Sequence, residues 1–288
     1  VLRGVLGIDL DQYPRFKASA TIVLLLLLMI FVFFPTFWMV STSFKPNSDA
    51  FAVPPKWIPT NFTLKNYQTQ INDRAGFRNY FRNGVVVSIA TALVSMIVSM
   101  PAGYSFARLR FRGKRMLLLI ILASQMFPAV IIVITLYSLY RQIHLLDTYY
   151  GLVLAFTSFS IPFSVWMLRG FCESVPEEIE EAAFVDGCSR IGLLWRIVIP
   201  LIRPGLLAVG LFSFLNAWNN LLFALSLTTR LSMRTIPPGF LLTYVGEFQY
   251  RWSDMFAASV LVTLPTVILF IGLQRFLVRG LMTGAVKG

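Results

Sequence analysis

Apolar residues come in six long blocks along this chain, and charge is confined to the gaps between them. The blocks free of Asp, Glu, Lys and Arg are Ala18–Phe44, Asn83–Ala107, Met116–Tyr140, Thr148–Leu168, Pro204–Thr229 and Met255–Gln274, of 27, 25, 25, 21, 26 and 20 residues. A bilayer's hydrocarbon core takes about 20 apolar residues of helix, so each block can cross it. The pattern predicts an all-α membrane protein forming one transmembrane domain over residues 1–288, with spans near 18–40, 84–107, 116–140, 149–168, 205–228 and 255–275. The first block is too long for the apolar part of a signal peptide, and no small-residue cleavage site follows it, so it reads as an uncleaved first helix. Proline falls inside five blocks, at Pro35, Pro101, Pro128, Pro162 and Pro265. Membrane helices tolerate such kinks where neighbours satisfy the freed carbonyls, and kinked helices suit a path or a moving wall.

Charged residues are 13% of the 288, about half the roughly 25% of a soluble domain. The net charge of +12 would suggest nucleic acid in a soluble protein. Here the cations lie between apolar blocks, so they set topology and meet anionic headgroups. Arg108, Arg110, Arg112, Lys114 and Arg115 place five cations in eight residues of the shortest strongly basic loop. Short loops rich in Lys and Arg stay cytoplasmic. That puts both termini and the segment 173–203 inside, with fifteen of the 25 cations inside and ten outside. The six cations of the first outer loop weaken this bias without reversing it.

Catalytic chemistry finds little material. His144 is the only histidine, and Cys172 and Cys188 are the only cysteines, so neither a metal set, a Ser-His-Asp triad nor a disulfide framework is expected. No G-x-x-x-x-G-K-[ST] phosphate loop occurs, so the chain does not hydrolyse ATP by that route. No charge lies mid-span, which argues against a proton relay or an ion-coupled carrier. Polar side chains are densest within the fifth block at Asn216, Trp218, Asn219 and Asn220. These fit helix-to-helix adhesion and a solute path equally well.

The polar insert 173–203 stands out. It holds Glu173, Glu177, Glu178, Glu180, Glu181 and Asp186, six of the thirteen acidic residues. Ser174 and Glu177 have capping-box spacing, which predicts a helix start there, and the glutamates suit the positive end of the helix dipole. Gly187 is a plausible stop. Ser189 is placed to cap a second helix over Arg190–Val198, ended by Pro200. The pattern is a short helix, a turn and a second helix, with small residues Ala182 and Ala183 that let a partner approach closely.

Glu181-Ala182-Ala183, three residues, Gly187, nine residues, Ile197-Val198-Ile199-Pro200 resembles the EAA loop of ATP-binding-cassette (ABC) importer permeases. Ile199 replaces the usual Leu. The ending Arg279-Gly280-Leu281…Gly284-Ala285-Val286-Lys287-Gly288 is similar to that of the carbohydrate-uptake type, of the kind typified by the smaller permease of maltose importers. Ala217-Trp218-Asn219-Asn220 resembles that group's Trp-Asn-acid motif, with Asn220 where an acid is frequent.

The resemblance implies a type I ABC importer fold with six transmembrane helices and a cytoplasmic coupling-helix insert. It also implies a bacterial inner-membrane location, a second homologous permease, an ATPase dimer that binds ATP and Mg, and a soluble binding protein outside. This chain itself would bind no cofactor. Glu181, Ala182, Ala183, Asp186, Gly187, Ile197 and Pro200 would meet the ATPase. Gly284, Lys287 and Gly288 of the tail would reach it too. Asn216, Trp218, Asn219 and Asn220 would border the substrate path, and Tyr244, Phe248, Tyr250 and Trp252 would face the binding protein.

A self-sufficient carrier or channel for small polar solutes is the competing reading; it predicts transport by the chain alone. Lys65, Arg74, Arg78, Arg82, Arg230, Arg234 and Arg251 give a basic outer face. It fits an acidic solute such as a uronate oligosaccharide or a glycerophosphodiester. It fits an acidic binding protein or lipid headgroups at least as well.

Overall fold

The computed structural model describes residues 15–72, 76–244 and 251–285, and the side chains of residues 19, 21–72, 76–244 and 251–274. Every regular element among them is helical. The chain divides into two compact units, residues 1–68 with 250–260 and residues 69–249 with 261–288.

In the first unit, helix α1 (Arg15–Ser43) carries Pro35 within it and exposes its apolar side chains all round, Phe31 at 80%. A helix apolar on every side needs lipid or another protein against it. The last carbonyls of α1 lack helical partners. Asn66, in the short helix α2 (Lys65–Ile71), supplies one, its Nδ2 donating to Ser43 O (2.7 Å) and to Lys45 O (2.8 Å). Lys45 is buried, with its Nζ 4.2 Å from the centre of the Trp38 ring and donating to Thr42 Oγ1 at 3.2 Å. The ring face attracts the cation that burial strips of water.

The second unit is organised around α3 (Phe77–Arg108). Gly84, Ser88, Thr91, Ser95 and Ser99 recur along its buried face at intervals of three and four. Small side chains let helix backbones approach closely in a membrane. They admit α6 (Tyr149–Glu173) and α10 (Arg203–Trp218). A Cβ on Gly103 would stand 2.8 Å from Leu168 Cβ, and one on Gly205 would stand 2.4 Å from the Phe171 ring. Pro101 and Pro162 sit inside α3 and α6.

Two of the six apolar blocks are not single helices. The third divides into α4 (Lys114–Ala123), with a 3-10 turn at Ser124–Met126, and α5 (Ala129–Gln142), the pair bent by 93°. Pro128 has no N–H to continue the ladder and pushes Phe127 to an extended ψ of 132°. The expected fifth span over 205–228 also breaks: α10 stops at Trp218, and α11 runs from Leu222 to Leu227. Asn219 Nδ2 donates to Leu215 O (3.0 Å), while Asn220 Oδ1 accepts the Phe223 N–H (3.0 Å). Side-chain amides that compete for backbone partners in this way end a helix.

Thr21–Ser43, Phe77–Arg108, Tyr149–Glu173 and Trp252–Gln274 are each long and apolar enough to cross a bilayer. The last belongs to α13 (Trp252–Ala285). Counting each of the bent pairs Lys114–Met126 with Ala129–Gln142 and Arg190–Leu201 with Arg203–Trp218 as one span brings the number among the described residues to six.

Candidate functional site

The polar insert forms helix α7 (Glu177–Val185). The expected capping box does not form. Ser174 closes α6 instead, its Oγ donating to Phe171 O at 2.8 Å, and Pro176 occupies the N-cap. A proline there fixes φ near −59° and starts the helix without a side-chain cap. Glu177, Glu178 and Glu180 fill the first turn, where carboxylates offset the dipole. The stop at Gly187 has a specific geometry. Gly187 N donates to Phe184 O (3.0 Å) and Cys188 N to Ala183 O (2.9 Å), the paired bonds of a Schellman motif. Gly187 takes φ +78°, a conformation that side chains disfavour.

Ser189 then caps α8 (Arg190–Leu193), accepting the Gly192 N–H at 3.2 Å. The helix does not end at Pro200. It passes through a π-helical turn at Leu194–Val198 into α9 (Ile199–Leu201). Pro200 cannot donate to the turn before it, and a π turn is one way a helix absorbs such a missing bond. The chain then turns by 80° into α10.

Adjacent residues on α7 point in different directions because each advances about 100° around the axis. Glu181, Ala182, Asp186 and Gly187 are exposed, and so are Phe184 (43%) and Val185 (87%). Ala183 is buried in a core with Met100, Leu168, Val175, Leu193 and Val198. Ile197 is half-buried against that core and Pro200 is exposed.

Glu180 is buried as well. Its Oε1 accepts from Arg108 Nε at 2.7 Å and its Oε2 from Tyr104 OH at 2.8 Å. Arg108 also donates through Nη2 to Val175 O, and its Nη1 lies 3.6 Å from Glu177 Oε1. Sequence reasoning used Arg108 only as a topology marker and missed this cluster. The only sign was complementary spacing: Tyr104 and Arg108 lie four apart on α3, Glu177 and Glu180 three apart on α7, and such pairs share a helix face.

The amide segment is not gathered at one surface. Trp218 is buried, stacked on Phe214 with ring centres 5.3 Å apart and meeting Phe81 edge-on at 5.9 Å. Asn216 and Asn220 are half-buried and Asn219 is exposed. A groove of about 530 Å³ lies between α3, α10 and α13, lined by Val85, Ile89, Met96, Phe214 and Pro265 among others. With no polar side chain lining it, it suits a hydrocarbon chain or a helix side and not a sugar.

Of the four aromatics expected to face a binding protein, Phe248 and Tyr250 lie outside the described residues. Tyr244, at the end of α12 (Ile236–Tyr244), is buried, with its OH donating to Gln70 Oε1 at 2.6 Å. Trp252 is 37% exposed and meets Phe51 edge-on. Gly284 falls near the end of α13, while Lys287 and Gly288 lie outside the described residues.

Two further polar hubs escaped the sequence. Buried Asn83 donates to Ser232 O (2.8 Å) and Arg234 O (3.0 Å) and accepts from Tyr149 OH (2.6 Å). Asp147 accepts the Thr229 N–H at 2.7 Å, the Arg230 N–H at 2.8 Å and the Thr229 hydroxyl. Burial pushes the Asp147 carboxyl up, but these bonds and the Arg230 charge outweigh it and hold the group below its ordinary range. A lowered folded-state value stabilises above the unfolded pKa and is lost as pH falls through the folded one. Asp147→Asn should therefore cost about 1–2 kcal/mol at neutral pH. Thermal unfolding in detergent should show the gap to the wild type closing as pH drops through the acid range.

Residues 99–283 match the family described as binding-protein-dependent transport system inner membrane component. The chain is similar to the diacetylchitobiose uptake system permease protein of Streptomyces coelicolor, 35% identical over 91% of this chain and 94% of that one. It is similar also to the sulfoquinovosyl glycerol transport system permease protein of Agrobacterium fabrum, 36% identical over 91% of each. The fold matches a chain in the crystal structure of a bacterial ABC transporter involved in the import of the acidic polysaccharide alginate. The TM-score is 0.80 at 22% identity, covering 91% of this chain and 98% of that one.

Proposed function

Because this chain belongs to the family of binding-protein-dependent transport system inner membrane components, we propose that it is one of two homologous permeases in an ATP-driven importer. The importer carries a carbohydrate across the bacterial cytoplasmic membrane by alternating access. The carbohydrate class rests on the relatives named for diacetylchitobiose and sulfoquinovosyl glycerol uptake.

The observation that carries the mechanism is the outward face of α7. Phe184 at 43% and Val185 at 87% exposed stand beside Glu181 and Asp186. Exposed apolar side chains rimmed by charge mark a docking surface, and an ATPase subunit is the partner that the family offers. ATP and Mg would be held by a pair of such subunits, which supply the energy by moving α7. In this reading 173–203 is the cytoplasmic coupling loop, both termini are cytoplasmic, and the spans follow the six blocks, the third bent before Pro128 and the fifth interrupted after Trp218. The tail residues Gly284, Lys287 and Gly288 would reach the ATPase, and Trp252 with the segment around Phe248 and Tyr250 would meet the binding protein. Asn216, Asn219 and Asn220 are the side chains offered to the solute path. Trp218 backs them from the core. The apolar groove of α3, α10 and α13 fits the second permease or lipid.

Reconstitution tests the reading. The permease pair, the ATPase and the binding protein in liposomes should take up members of an oligosaccharide panel only with ATP inside. Uptake by this chain alone, with no ATPase, would contradict it in favour of a self-sufficient carrier.

A further inference from the structure

Helix α7 is joined covalently only to α6 and α8, so a push on it would reach α3 solely through side chains. We infer that Arg108, Tyr104 and Glu180 are positioning residues that lock α7 and the neighbouring end of α3 into one rigid body, so that movement of α7 tilts α3 directly. The inference rests on the coupling role proposed for α7.

Three features of the cluster carry it. First, the contact is directional. Arg108 reaches Glu180 Oε1, Val175 O and, more distantly, Glu177 Oε1, while Tyr104 takes the other oxygen of Glu180. A planar guanidinium bound on several edges fixes orientation as well as distance. Apolar packing alone would let the two helices slide. Second, the pair is sheltered, with side-chain exposure of 11% for Arg108 and 7% for Glu180. Water therefore screens it little, and removing either partner leaves the other charge stranded. Third, the division of labour is built into neighbouring residues. Glu180 turns inward to α3 while Glu181 turns outward to the exposed face. Ala183 adds a second contact through the core it shares with Met100 of α3.

The test uses the assembled complex of permease pair, ATPase and binding protein in liposomes. Nitroxide labels replace the exposed Glu178 on α7 and the exposed Ile97 on α3, two turns above Tyr104. Their separation is measured by pulsed electron resonance without nucleotide and with ATP and vanadate. In the otherwise wild-type complex the distance should be the same in both states. In Glu180→Gln, which keeps the shape and a hydrogen bond to Tyr104 but removes the charge, it should differ between the states by more than the width of either distribution. A merely structural role would lower the yield of complex and leave the distance independent of nucleotide. If Glu180→Gln does not assemble, Tyr104→Phe, which deletes one hydroxyl, should broaden the distribution when nucleotide is bound. A distance that already changes in the wild type, or one that stays fixed in the variant that assembles, overturns the inference. A wild-type permease that binds no ATPase subunit overturns the coupling role as well, and is told apart by the missing subunit.

Discussion

Uptake should fall to background when Glu181–Gly187 is replaced by a flexible segment of equal length. The replacement removes the exposed Phe184 and Val185, the residues best placed to act as apolar anchors. Anchors of this kind contribute about 2 kcal/mol each at a well-packed interface, so losing both should weaken ATPase binding roughly 10³-fold. It also removes the Gly187 turn at φ +78° that sets where α8 begins. Membrane insertion should persist, because the replaced residues lie outside every apolar block. Co-purification of the ATPase and solute uptake are measured on the same preparation. Retained ATPase with normal uptake would defeat the coupling role of α7.

Gly103→Val should do comparable damage by another route. A single Cβ at Gly103 would already lie 2.8 Å from Leu168 Cβ and 3.0 Å from the backbone N of Arg169. The backbone of α6 cannot step aside as a flexible side chain does. Overpacking usually costs about 1–3 kcal/mol, and a branched side chain against backbone belongs at the upper end or beyond. The expected outcome is a permease that unfolds at markedly lower temperature in detergent. Gly170→Val is the control: it has nothing within 4 Å of its Cβ position and valine is a slightly better helix former than glycine, so its stability should stay within about 0.5 kcal/mol of the wild type. Equal stability of the two variants would show that the close approach of α3 and α6 is not what holds the second unit together.

The class of protein, the apolar helical blocks and the insert were legible from residue pattern alone. Hydrocarbon admits only long uncharged helical stretches, and a segment such as Glu177–Asp186 therefore announces itself by contrast. The stop at Gly187 and the Ser189 cap were legible too, since both depend on bonds within a few residues. Where a local rule met a competing local partner, the pattern misled. Ser174 joined the end of α6, and Asn219 with Asn220 ended α10 inside an unbroken apolar block. Which way each side chain faces across elements emerged from the packing of the helices. Trp218 and Tyr244, read as working aromatics, are buried, while Arg108, Glu180, Asn83 and Asp147 make the polar ties. Those ties join residues 66 to 151 positions apart in cases such as Asn83 with Tyr149 and Arg234. A helical period reports which residues share a face of one helix, but carries no information about which other helix that face will meet.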